Sequence, residues 1–129
     1  MGMYTELLLK TEVKENIPAD VEAVLQFLFY SGERPKVLPD HSFFQCQRWS
    51  LIGQCSSFYH VPWSISRYFE GCIFSRSDLK NYDNEIECFV DWVTPYLQEL
   101  DGTCIGWSWY EEADVPTLLI KGKNETSAC

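Results

Sequence analysis

A chain of 129 residues with 46% hydrophobic content is long enough to bury one core without help from a metal or a disulfide. Ten Lys plus Arg against nineteen Asp plus Glu leave a net charge of −9, which argues against a general nucleic-acid binder, because neutralising phosphate requires basic surface. No apolar run approaches the roughly 18 residues of a membrane span, and the N-terminus lacks the basic and apolar regions of a signal peptide, so a cytoplasmic protein is expected.

From Tyr4 to Val13 the chain alternates, with Leu7, Leu9, Thr11 and Val13 on one side and Glu6, Lys10 and Glu12 mostly on the other. That period of two predicts a half-buried strand. Pro18 then stands near the first turn of a predicted helix in which Val21, Val24, Leu25 and Leu28 form one stripe, and Gly32 follows as its stop. The segment Glu33 to His41 reads as the longest connection. Beyond it, Trp49 to Tyr59 and Trp63 to Leu79 are rich in aromatic and β-branched residues, which predicts two or three strands, with Glu70-Gly71 turning a hairpin.

The stretch Leu79 to Leu97 carries the strongest local signal. Ile86, Phe89, Val90 and Val93 recur at helical spacing, Asp83 stands at the expected N-cap, and Asn84, Glu85 and Glu87 suit the positive end of the helix dipole. Pro95 predicts a stop or kink, with Tyr96 and Leu97 as a last loose turn. Near the C-terminus, Ile105, Trp107 and Trp109 are expected to share one strand face. Asp114 to Pro116 then separates that strand from a final one, Thr117 to Lys121, which Pro116 confines to starting after it or lying at an edge.

The order strand, helix, strands, helix, two strands predicts an α+β domain over residues 1–121. Two amphipathic helices would cover one face of an antiparallel sheet of about four to six strands, and residues 122–129 would form a flexible C-terminal tail. We find no repeat, internal linker or low-complexity tract.

Catalytic and metal motifs are weak. Six cysteines, Cys46, Cys55, Cys72, Cys88, Cys104 and Cys129, form neither a CxxC pair nor a zinc knuckle, and only His41 and His60 could join them. Without secretion, reduced and mostly buried thiols are expected, and Asn124-Glu125-Thr126 is a chance glycosylation triplet. A site from Cys46, Cys55, His60 and Cys72, or a nucleophile at Cys55 or Cys72 activated by His60, has no supporting turn or helix terminus. The glycines are scattered singly, which excludes a Walker loop and a dinucleotide fingerprint. Glu87 with Asp91, and Glu111 with Glu112 and Asp114, are paired carboxylates of the kind that usually stay solvated. No catalytic residue, metal or cofactor is therefore assigned.

Charge and aromatic content point instead toward binding. Five Trp, seven Tyr and eight Phe exceed what a core of this size hides, and aromatic anchors dominate many interfaces. Trp63, Tyr68 and Tyr110 are the candidates for exposure. A compact acidic protein is drawn to basic surfaces, including grooves that normally hold nucleic acid.

Several blocks carry a family resemblance. The opening Met1 to Leu7, the run Leu38-Pro39-Asp40-His41, the block Leu79 to Glu87 with Phe89, Asp91-Trp92 and Pro95-Tyr96-Leu97, and the closing Tyr110-Glu111-Glu112 with Pro116-Thr117-Leu118 look like a family of small proteins carried by phages and prophages. The similarity spans nearly the whole chain, and Phe43 to Tyr59 departs from it most. It assigns no catalytic role to any residue. What it implies is context, since small phage proteins without enzyme motifs often act by occupying a host protein. The expectation is an anti-CRISPR-like accessory protein that inhibits a host defence factor, a nucleic-acid-binding complex, in the bacterial cytoplasm. Asp78, Asp83, Glu87, Asp91, Glu111, Glu112 and Asp114 would supply the negative field, with Tyr82 and Tyr110 as anchors. Direct contact with nucleic acid or membrane is not expected, and a homodimer through an edge strand or an uncovered aromatic face is compatible with the pattern. The alternatives are a nucleotide-signal binder using Arg48, Arg67 or Arg76 for phosphate, and a small hydrolase using surface carboxylates or Cys72.

Overall fold

The computed structural model describes residues 3–54 and 65–122. Within them, alternating residues build five strands, β1 (Thr5–Glu12), β2 (Ile65–Phe69), β3 (Cys72–Leu79), β4 (Cys104–Tyr110) and β5 (Thr117–Ile120). They form one sheet in the order β2-β3-β1-β4-β5, each neighbouring pair antiparallel. Helix α1 (Ala19–Phe29) follows β1, and helix α2 (Glu85–Val93) joins β3 to β4. The α+β architecture is the expected one. Most of the anticipated tail lies outside the described residues, as do Trp63, the glycosylation triplet, and Cys55 and His60, on which the expected metal and nucleophile alternatives drew.

One face of the sheet is sealed. Leu7 and Leu9 from β1, Ile73 and Leu79 from β3, Ile105 from β4 and Leu119 from β5 join the apolar stripes of both helices in a single core. The segment between α1 and β2 completes it: Phe43 packs against Phe44, Trp49, Phe89 and Trp92 with ring centroids 4.9 to 6.0 Å apart, a spacing at which edge-on and offset aromatic pairs attract. This corrects the strand expected from Trp49. Residues Trp49–Leu51 instead form one 3₁₀ turn, because the indole of Trp49 is drawn inward among these rings and the backbone closes through Leu51 N–H to Arg48 O and Ile52 N–H to Trp49 O.

Two local backbone features shape the strands. Glu70 and Gly71 both have positive φ, 50° and 81°, as a tight hairpin of the expected type requires. The strand β4 does not alternate throughout, however. A bulge between Cys104 and Gly106 turns Ile105 into the core, whereas Trp107 and Trp109 pair with Leu8 and Glu6 on the other face. The expectation that all three share a face is therefore corrected. Gly106, at φ 156°, sits where a Cβ would overlap the carbonyl oxygen of Leu8, so no other residue fits the bulge.

The helix start is also one residue later than expected. Asn84, in the left-handed region, precedes α2, and Asn81 Oδ1 accepts from Ile86 N–H at 2.8 Å. Asp83 instead turns its carboxylate toward Gln47 N–H, 3.3 Å away. Glu85 lies fully buried, accepting from Asp83 N–H at 3.1 Å and from Arg48 N–H at 3.2 Å, with the Arg48 guanidinium 3.4 Å away. These bonds tie the start of α2 to the 42–51 segment and satisfy a carboxylate that would otherwise be costly to bury.

Cysteine placement differs from expectation as well. Cys72 and Cys104 are exposed free thiols, both on the side of the sheet opposite the helices, and Cys46 is half-buried. Cys88 is buried and disulfide-bonded rather than reduced. The thiols thus lend no weight to a reducing compartment.

Candidate functional site

The start of β1, the β3-to-α2 connection and the end of β4 converge at one end of the sheet. They enclose a cleft of about 250 Å³ lined by Met3, Thr5, Asn81, Tyr82, Glu87, Ser108, Tyr110, Ala113 and Thr117. Register explains the convergence: Thr5 pairs with Leu79 on one side and with Tyr110 on the other, so the chain segments that leave β3 and β4 must flank it.

Three of the anticipated residues, Tyr82, Glu87 and Tyr110, wall this cleft. The Tyr82 hydroxyl accepts from Met3 N–H at 3.0 Å, and the Arg48 guanidinium lies 5.1 Å from its ring centroid, a cation–π distance. Glu87 accepts from the Asn81 amide at 2.8 Å. Tyr82 and Tyr110 remain 55% and 42% exposed, so part of each side chain is presented to solvent. Glu111 follows directly: its Oε1 accepts from Tyr4 N–H at 2.6 Å, while its own N–H donates to Tyr4 O at 3.1 Å. This pair of bonds fixes the rim on which Glu112 and Asp114 stand exposed.

The electrostatics are negative at this rim. The Tyr110 phenol is raised above its ordinary value of 10, first by partial removal from water and then by Glu112, Glu111 and Tyr82. A neutral phenol beside two carboxylates offers ring surface and a hydrogen-bond donor. A lysine or arginine side chain would meet compatible groups here.

The other anticipated residues do not join the cleft. Asp78 is buried at 2% exposure on β3, opposite Glu6, which corrects its assignment to the binding surface. Asp91 faces His41, with Nε2 to Oδ2 at 3.0 Å, and Asp83 lies 3.9 Å from Arg48. Both help anchor the 41–48 segment. Tyr68, expected at the surface, is buried, because its hydroxyl reaches inward to donate to Glu22 at 2.6 Å. Thr5, Asn81, Ser108 and Thr117 were not anticipated. Their only sequence signal is alternation, since Ser108 and Tyr110 fall on the strand side opposite Trp107 and Trp109.

Other chemistry finds less support in the geometry. His41 receives Phe43 N–H on Nδ1 at 3.0 Å and faces Asp91 through Nε2, so neither ring nitrogen is left to activate a nucleophile. The Cys46 thiol is pushed up by burial, then by Glu85 and Asp83, which disfavours its thiolate. Among the described residues no group of three His, Cys, Asp or Glu is placed to hold a metal, and no helix is long and apolar enough to cross a membrane. Arg48 faces Glu85, Arg76 pairs with Glu6, and Arg67 stands on β2. None of the three lines the cleft.

A larger depression of about 650 Å³ lies at the opposite end, along Glu12 to Ile17, Glu22, Tyr68 and Gly71. Compared with family models, curated proteins and solved structures, the chain matches none.

Proposed function

We propose that this protein acts by binding, as a phage accessory protein that occupies a basic surface of a host defence factor in the manner of an anti-CRISPR. The observation that carries this reading is the convergence of Tyr82, Glu87 and Tyr110 on one cleft, with Glu111 and Glu112 at its rim. The net charge of −9 would steer a cationic partner toward the protein and repel nucleic acid. The exposed rings would seat an arginine or lysine that otherwise contacts phosphate, and the rim carboxylates would pair with its neighbours. Occupancy of that surface blocks the nucleic acid sterically and by charge.

A small-molecule reading has less support. The cleft is smaller than the roughly 300–1,000 Å³ typical of ligand pockets, and none of Arg48, Arg67 and Arg76 lines it or the larger depression at the opposite end.

The test is affinity capture from bacterial host extract with the wild-type chain and with E111K/E112K/D114K, followed by cross-linking and mass spectrometry. The reading predicts a nucleic-acid-binding partner that is cross-linked near residues 110–114 and lost both in the variant and at high salt. Equal capture by both chains would refute the assignment.

A further inference from the structure

We propose that two copies of this chain pair face to face through the side of the sheet that the helices do not cover. The proposal does not rest on the binding reading above, since the cleft lies at the sheet's end. The helices cover one face only. On the other, the register aligns Ile65, Arg76, Leu8, Trp107 and Leu118 in one row across all five strands. Phe69 and Leu118 are 72% and 60% exposed, and Phe74 and Trp109 are also exposed. Ile65, Phe69, Phe74, Trp109 and Leu118 thus place exposed apolar side chains on four of the five strands of one face, interleaved with charged ones, and so many on one face mark an interface rather than scattered solvent contacts.

Charge identifies the occupant. By register this face holds three cations, Lys10, Arg67 and Arg76, and three anions, Glu6, Glu12 and the buried Asp78. It is therefore neutral in a chain of net charge −9. A second copy, repelled elsewhere, meets no repulsion here.

The two halves are also complementary. Arg67, Phe69 and Phe74 occupy the β2–β3 side, whereas Trp107, Trp109 and Leu118 occupy the β4–β5 side. A two-fold axis along β1 lays the Arg67 side of each copy over the indole side of the other, as an isologous interface requires. Guanidinium over indole is a favourable pairing, and aligned sheets pack in this way. The same axis brings Cys72 of one copy, opposite Glu12, near Cys104 of the other, opposite Ile120.

Sedimentation velocity of the full chain over a concentration series, with a thiol cross-linker spanning about 10 Å, the separation of packed sheets, tests this pairing. Mixing isotopically light and heavy chains identifies links between copies. We expect a dimer with a Cys72–Cys104 link between chains, and a monomer of unchanged circular dichroism for F74D/L118D. R67E, a single change at an exposed position, should weaken association about tenfold. A wild-type chain that stays monomeric, a dimer unmoved by R67E, or links that omit Cys72–Cys104 would overturn the proposal.

Discussion

The two faces of the sheet are built from the same alternation and meet different fates. On the inner face Leu7, Leu9, Ile73 and Leu79 are sealed under the helices and the aromatic cluster around Phe43. On the outer face Phe69, Phe74 and Leu118 are left exposed in the single chain. Apolar character alone does not decide burial. The inner face is closed because α2 is locked in place by Glu85 and because Gly106 lets β4 bend and turn Ile105 inward.

This contrast can be broken at graded cost. The largest effect should come from Gly106→Ala, whose methyl would collide with Leu8 O. A loss above about 4 kcal/mol or failure to fold is expected, measured by urea unfolding. Phe43→Ala removes the ring at the centre of the cluster, and a cost of about 3–5 kcal/mol should appear in the same assay. Glu85→Ala leaves Arg48 without its buried acceptor, and about 3 kcal/mol should be lost. A near-neutral Glu85→Ala would mean that α2 is held by its apolar stripe alone.

Tyr68 supplies a smaller and pH-dependent effect. Burial, then its hydrogen bond to Glu22 and the charge of Glu22, raise its phenol well above the ordinary value of 10. The neutral form is thus favoured in the folded chain. Its contribution is complete below pH 10 and declines as the pH rises above 10, where the unfolded phenol ionises first. Tyr68→Phe should lose about 1 kcal/mol at neutral pH, and the gap from wild type should narrow in alkaline melts. The smallest effect is expected on the outer face, where Phe69→Thr should shift the stability of the monomer by no more than about 0.5 kcal/mol.

Local periodicity made β1, both helical stripes and the Glu70-Gly71 hairpin legible in the sequence, because each depends on near neighbours. What escaped depends on contacts far along the chain. Glu85 is buried through Arg48, 37 residues away, so it resembled any acidic residue in a first helical turn. Trp49 forms a 3₁₀ turn because Phe43, Phe44 and Phe27 surround its ring, and Asp78 is buried although its position in a polar run suggested exposure. The cleft was half legible. Tyr82, Glu87 and Tyr110 stood out as aromatic and acidic groups, but Thr5 and Ser108 join them only through the register of β1 with its two neighbours.

The most direct test of the binding account is a nuclear magnetic resonance titration of the isotopically labelled chain with the host protein it captures. The account predicts that line broadening is concentrated at Tyr82, Glu87 and residues 110–114, and that it fades as salt rises. Broadening centred on α1 or on the depression around Tyr68, unchanged by salt, would contradict it.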